Sequence, residues 1–139
     1  MSQNTHFVAT AFAGGLSFES QIDQYHLKMD TTSEESSGFG PSPKKLMLAS
    51  LAGCTGIDVV SILRKMKVEF SHFTIDIEGQ LTESHPQIYQ KVRLVYTIQV
   101  NETDKPKMER AVQLSKEKYC GVSAMFSSFA SLDFSIVFL

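Results

Sequence analysis

The stretch GPSPKKLMLASLAGCTGIDVVSILRKM, residues 40–66, decides the fold. Ser42 is a good N-cap. Pro43 suits the first helical position, because its fixed φ is helical and its missing N–H is an orphan donor there anyway. A central helix over 43–66 is therefore predicted. Leu46, Ala49, Gly53, Ile57, Val60 and Arg64 fall on one stripe, while Met47, Leu48, Leu51, Ala52, Val59, Ile62 and Leu63 cover most of the remainder. A helix so apolar is expected to be buried on more than one side, against a sheet and against a partner subunit. Lys44, Lys45, Asp58, Arg64 and Lys65 bracket or interrupt the run, so no bilayer span is expected. Cys54 lies halfway along it. A single cysteine on such a helix is more often packing than chemistry, since a buried thiol behaves as a small hydrophobe.

Upstream, residues 6–13 and 16–22 read as strands joined at Gly14-Gly15, a pair that tolerates the positive φ of a tight hairpin. Residues 25–30 make a third short strand, which gives an N-terminal meander over 6–30. The polar segment 31–42, which carries Glu34 and Glu35, has no periodicity; it is either a lid over a site or a disordered connector. Downstream, 68–101 reads as a long hairpin. Phe73, Ile75, Ile77 and Leu81 alternate with polar residues in its first arm, as do Val92, Leu94, Tyr96, Ile98 and Val100 in its second. Residues 105–129 are helical, beginning at Thr103 or Asp104 with Pro106 in the first turn. The first of these helices runs to about Lys118 with Met108, Ala111, Val112, Leu114 and Ser115 inward. Tyr119-Cys120-Gly121 breaks it, so Cys120 falls at or near a helix N-terminus, where a thiolate is favoured. A terminal strand over 131–139 completes a single α+β domain spanning 1–139.

Composition narrows the function. At 139 residues the chain is long enough for one real core. Its formal net charge is −2, and no basic cluster advertises nucleic acid. The N-terminus lacks the pattern of a secretory signal, so a cytoplasmic location is expected. In that reducing setting two distant cysteines are not expected to form a permanent staple; any pairing is catalytic or redox-sensing. There is no CxxC, HExxH, Walker loop or GxGxxG. His6, His26, His72 and His85 are not spaced as a set and only two cysteines exist, so neither a metal nor a cofactor is expected. Two thiols could support peroxide reduction: one becomes a sulfenic acid, the other captures it as a disulfide, and an external dithiol resets the pair. Neither spacing nor composition brings the two together.

The segments GPSPKKLMLASLAGCTGIDVVSILRKM, ESHPQIY and ERAVQLSKEKYCGVSAMF resemble the three signature regions of the OsmC/Ohr family of osmotically inducible and organic hydroperoxide resistance proteins, closest to its YhfA-like branch. The resemblance implies antiparallel sheets packed around two main helices in an intertwined homodimer, with sites at the subunit interface. It implies Cys54 as the attacking thiol, Cys120 as the resolving thiol, organic hydroperoxides as substrates and a dithiol such as a lipoylated protein as reductant. A non-enzymatic dimer holding an apolar or electrophilic ligand, and a thiol sensor, are the alternatives. In the peroxidase branches an arginine activates the thiolate and is held by a glutamate after the helix-start proline. Here Lys44 takes that glutamate's place, and no arginine precedes Met29. Without a cation the Cys54 thiol should titrate at or above its ordinary value, higher still if Asp58, four residues on, points the same way. Lys44, Lys45, Lys118 or Arg93 could supply the cation, with Glu34 or Glu35 holding it.

Overall fold

The computed structural model describes residues 4–139. The chain divides into two compact units, 1–47 and 48–139.

The N-terminal unit is an antiparallel meander of β1 (Ala9–Phe12), β2 (Phe18–Ile22) and β3 (Tyr25–Met29) in that order. Gly14 and Gly15 take φ of 99° and 56° in the first turn, where the Ser17 N–H donates to the Gly14 carbonyl at 2.8 Å. Ile22 pairs with Tyr25 across a two-residue turn. The segment after β3 is tied down by one carboxylate. Asp30 Oδ2 accepts from the hydroxyls of Ser17 and Ser37 and from the N–H groups of Ser37 and Phe39, while Oδ1 accepts from the Thr31 N–H. Burial alone would raise the Asp30 pKa. The hydrogen bonds from Ser37, Thr31, Phe39 and Ser17 outweigh it and hold the carboxyl well below the ordinary range. Gly40 is required where the returning chain meets the Lys28 carbonyl, since a Cβ there would collide with backbone.

The unit then enters α1 (Pro43–Lys65), which begins at the predicted proline with Leu46 N–H bonded to the Ser42 carbonyl at 3.2 Å. The larger unit continues with β4 (Phe70–Leu81), β5 (Tyr89–Val100), a 3₁₀ turn (Glu102–Asp104), α2 (Lys105–Leu114), a π turn (Ser115–Tyr119), α3 (Gly121–Ser127) and β6 (Ser131–Phe138). β4 and β5 pair antiparallel with an irregularity between Ser71 and Thr74, where His72 takes φ 50°.

Two expectations are corrected here. The sheets are not all antiparallel: β6 runs parallel to β5, from Lys91 opposite Ser131 to Ile98 opposite Phe138. A parallel return needs a long crossover, and the helices between β5 and β6 are that crossover. The second helix also stops being α-helical at Leu114 rather than continuing to Lys118, and widens into the π turn that delivers Cys120.

The core of this unit collects the inward residues of each element: Leu51, Val59 and Leu63 from α1, Val92, Leu94, Tyr96 and Ile98 from β5, Met108, Ala111 and Val112 from α2, and Phe126 from α3. Burying each large apolar side chain contributes about 1.5–3 kcal/mol. Gly79 lets β4 approach Tyr89 and Leu48, since a Cβ there would lie 2.7 Å from the Tyr89 ring. By length and composition α1 could cross a membrane. Its buried residues Leu51, Thr55, Val59 and Leu63, however, recur every fourth position, the stripe of a helix packed in a domain. The other stripe is open within a single chain. Ile57 is 73% exposed, and Gly53, Gly56, Ile57 and Val60 form with Phe73 and Ile75 an apolar groove of about 840 Å³.

Candidate functional site

Each thiol is positioned by a different local rule. Cys54 lies on α1 beside the inward Thr55, half-buried, with Asp58 one turn further along. Cys120 is the N-cap of α3 in extended conformation, and its sulfur accepts the Ser123 N–H at 3.3 Å. The Val122 backbone N–H acts on the Cys54 sulfur, favouring its thiolate. The two sulfurs and an Asp58 carboxylate oxygen all lie within 4.8 Å of one another.

Behind them runs a buried polar chain. Ser115 Oγ donates to Asp58 Oδ2 at 3.0 Å, Thr55 Oγ1 lies 2.8 Å from Ser115 Oγ, and Tyr96 OH lies 2.8 Å from Thr55 Oγ1. A hydroxyl has one proton to give. Ser115 gives its own to the carboxylate, so it accepts from Thr55, and Thr55 in turn accepts from Tyr96. Every proton in the chain therefore points towards Asp58. The Ser115 carbonyl also accepts the Cys120 N–H at 2.8 Å, so one residue holds both the carboxylate and the backbone of the second thiol.

The electrostatics raise Cys54 and Tyr96 alike. Burial pushes the Cys54 thiol up, its hydrogen bond with Cys120 and the charges of Cys120 and Asp58 push it further, and only the Val122 N–H works against them. Tyr96 is pushed up to about 12, first by burial, with the Thr55 hydrogen bond opposing and Cys120 and Asp58 adding. Among the described residues, no lysine, arginine or histidine acts on the Cys54 thiol.

The other residues singled out from the sequence lie elsewhere. Arg93 points outward from β5 beside Glu78 and Asp133, while its neighbours Val92 and Leu94 face the core. Lys118 is exposed in the π turn. Lys44 is exposed in the first turn of α1, and Glu34 and Glu35 are exposed in the segment after Asp30; all three belong to the N-terminal unit. Sequence reading passed over Thr55, Tyr96 and Ser115. The signal was there: each is a polar side chain on the inward stripe of its own element.

Two thiols held close together on an α+β scaffold are what the structure presents. Residues 24–134 match the model of OsmC-like proteins, and the chain belongs to that family. Protein YhfA of Escherichia coli is 30% identical over 122 residues, covering 87% of this chain and 89% of that one. Among solved structures, a hypothetical protein from Aquifex aeolicus superposes with a TM-score of 0.86 at 29% identity, covering 99% and 98% of the two chains. An OsmC-like protein from Mycoplasma pneumoniae gives 0.85 over 99% of each chain, but its 10% identity bears on the fold alone.

Proposed function

We propose that this chain is a thiol-dependent redox protein that reduces organic hydroperoxides through Cys54 and Cys120, working in the cytoplasm as a homodimer. One observation carries the reading: two sulfurs supplied by different helices lie within 4.8 Å, close enough for side-chain rotation to bring them to bonding distance. The family, which includes hydroperoxide-resistance proteins, supports it. The Cys54 thiolate attacks the distal peroxide oxygen; the O–O bond breaks, the alkoxide leaves as the alcohol on taking a proton, and Cys54 becomes a sulfenic acid. The Cys120 thiolate then attacks that sulfur, forming the disulfide and releasing water. A dithiol, such as a lipoyl group, reduces the disulfide by exchange. The open stripe of α1 supports the dimer, because an apolar face of this kind marks an interaction site.

The test is loss of cumene or tert-butyl hydroperoxide with dihydrolipoamide as reductant. Turnover that disappears in Cys54→Ser is expected; equal rates for the two proteins refute the reading for those substrates. One observation favours a second reading. A Cys54 thiol pushed up in pKa is a slow nucleophile, as suits a sensor, or a binder of an apolar electrophile. Mass spectrometry after mild peroxide separates the readings: a Cys54–Cys120 disulfide with turnover marks the enzyme, the same disulfide without turnover the sensor, and two unmodified thiols the binder.

A further inference from the structure

Three donor atoms converge on one point of the larger unit. Cys54 Sγ, Cys120 Sγ and a carboxylate oxygen of Asp58 lie within 4.8 Å of one another, and each becomes an anion on ionising. Among the described residues the ion pairs are Lys105 with Glu102 and Lys107 with Asp104, so no basic side chain neutralises Asp58. Like charges gathered in a half-buried site repel unless a cation joins them.

We propose that the reduced protein binds zinc(II) through Cys54, Cys120 and Asp58, leaving a fourth coordination position open. Zinc takes thiolate and carboxylate ligands together, and three protein ligands with one open place is its reactive form. With Zn–S near 2.3 Å and Zn–O near 2.1 Å, tetrahedral donors stand about 3.5–3.8 Å apart. The observed upper limit of 4.8 Å leaves a movement of about 1 Å, within the reach of side-chain rotation. Cys54 and Asp58 are one helical turn apart on a regular stretch of α1, so two of the three ligands are spaced by the helix itself.

The surroundings are those of a built site. Ser115 Oγ holds Asp58 Oδ2 and is itself held through Thr55 and Tyr96. The Ser123 N–H meets the Cys120 sulfur at 3.3 Å, and the Val122 N–H favours the Cys54 thiolate. Such outer contacts orient metal ligands and tune them. Ser123, whose N–H meets the Cys120 sulfur, is 1% exposed, and its buried hydroxyl has no hydrogen-bond partner among the described residues, an orphan that a polar guest would satisfy. A search for histidines overlooks this site, because its third ligand is a carboxylate that only the fold brings to Cys120.

Zinc and the disulfide exclude each other. Two thiolates, one hydroperoxide and two protons give the disulfide, an alcohol and water, and the zinc ion is released unchanged in oxidation state.

The experiment is a cobalt(II) titration of the reduced full-length protein under anaerobic conditions, followed by zinc(II) competition. Expected is a sulfur-to-cobalt charge-transfer band with tetrahedral visible bands, saturating at one metal per chain and bleached by zinc. Cys54→Ser and Cys120→Ser each weaken the charge-transfer band, disulfide formation abolishes it, and Ser115→Ala loosens cobalt by about 10–100-fold. A reduced wild type that shows nothing beyond the pale spectrum of hydrated cobalt overturns the proposal, and so does full affinity in Asp58→Asn. The proposal stands apart from the peroxidase reading. Hydroperoxide turnover without metal binding sinks the zinc site alone, and metal binding without turnover sinks the peroxidase alone.

Discussion

Replacing Thr55 by valine tests the direction of the buried hydroxyl chain. Thr55 Oγ1 is the middle member, 2.8 Å from both Tyr96 OH and Ser115 Oγ, and the residue is fully buried. Valine keeps the shape and removes both hydrogen bonds, each worth about 1 kcal/mol net. It also leaves the Tyr96 hydroxyl, a donor with no acceptor, inside the core, at a further cost of about 1–3 kcal/mol. The expected loss is about 3–5 kcal/mol. Tyr96→Phe removes only the outer end of the chain. Thr55 still donates to Ser115, so the loss is about 1 kcal/mol. In the double variant no stranded hydroxyl remains, and it should be no less stable than Thr55→Val alone, a clear departure from additivity. Urea unfolding at fixed protein concentration measures all four proteins. If Tyr96→Phe costs as much as Thr55→Val, or if the two losses simply add, the proton order from Tyr96 to Asp58 is wrong.

Further tests address other parts of the molecule. The pH profile of Cys54 alkylation by iodoacetamide should inflect above that of a free cysteine, and Asp58→Asn should move the inflection down; a wild-type inflection at or below the free thiol refutes the electrostatics. Asp30 has a folded-state pKa below its unfolded value, so its contribution is complete above the ordinary carboxylate range near 4 and fades as pH falls. The gap in urea midpoint between wild type and Asp30→Asn should therefore be wide at neutral pH and shrink in acid; a constant gap counts against it. Ile57→Glu places a charge on the open stripe of α1 and should yield a folded single subunit by light scattering, whereas an unchanged dimer mass would mean the interface lies elsewhere. Gly79→Ala drives a methyl group to 2.7 Å from the buried Tyr89 ring and should cost about 1–3 kcal/mol in thermal or urea unfolding.

What could be read from the sequence was whatever short-range chemistry controls. Ser42 and Pro43 start α1 where capping preferences put the start, and the alternation from Val92 to Val100 is the buried face of β5. Tyr119-Cys120-Gly121 marks the end of one helix and the start of the next, so the placement of Cys120 at a cap was legible too. Strand direction was not, because alternation reveals which face is dry but not which way a strand runs; hence the parallel β6. The π turn also escaped, since Ser115–Tyr119 keeps a helical composition while changing its hydrogen-bond spacing. Asp30 looked like one more polar loop residue, and only the folded turn gathers its donors. Asp58 was readable as a neighbour of Cys54 through helical spacing. Its approach to Cys120 depends on the crossover between β5 and β6, which no local pattern encodes.

The distance along the chain between the two thiols has a further consequence. A covalent link between Cys54 and Cys120 would close a loop of roughly 65 residues, which in the chain-entropy account removes about 4 kcal/mol of freedom from the unfolded chain. The oxidised molecule should then melt well above the reduced one. A melting curve becomes a gauge of oxidation, and partial oxidation of a sample would appear as two transitions instead of one.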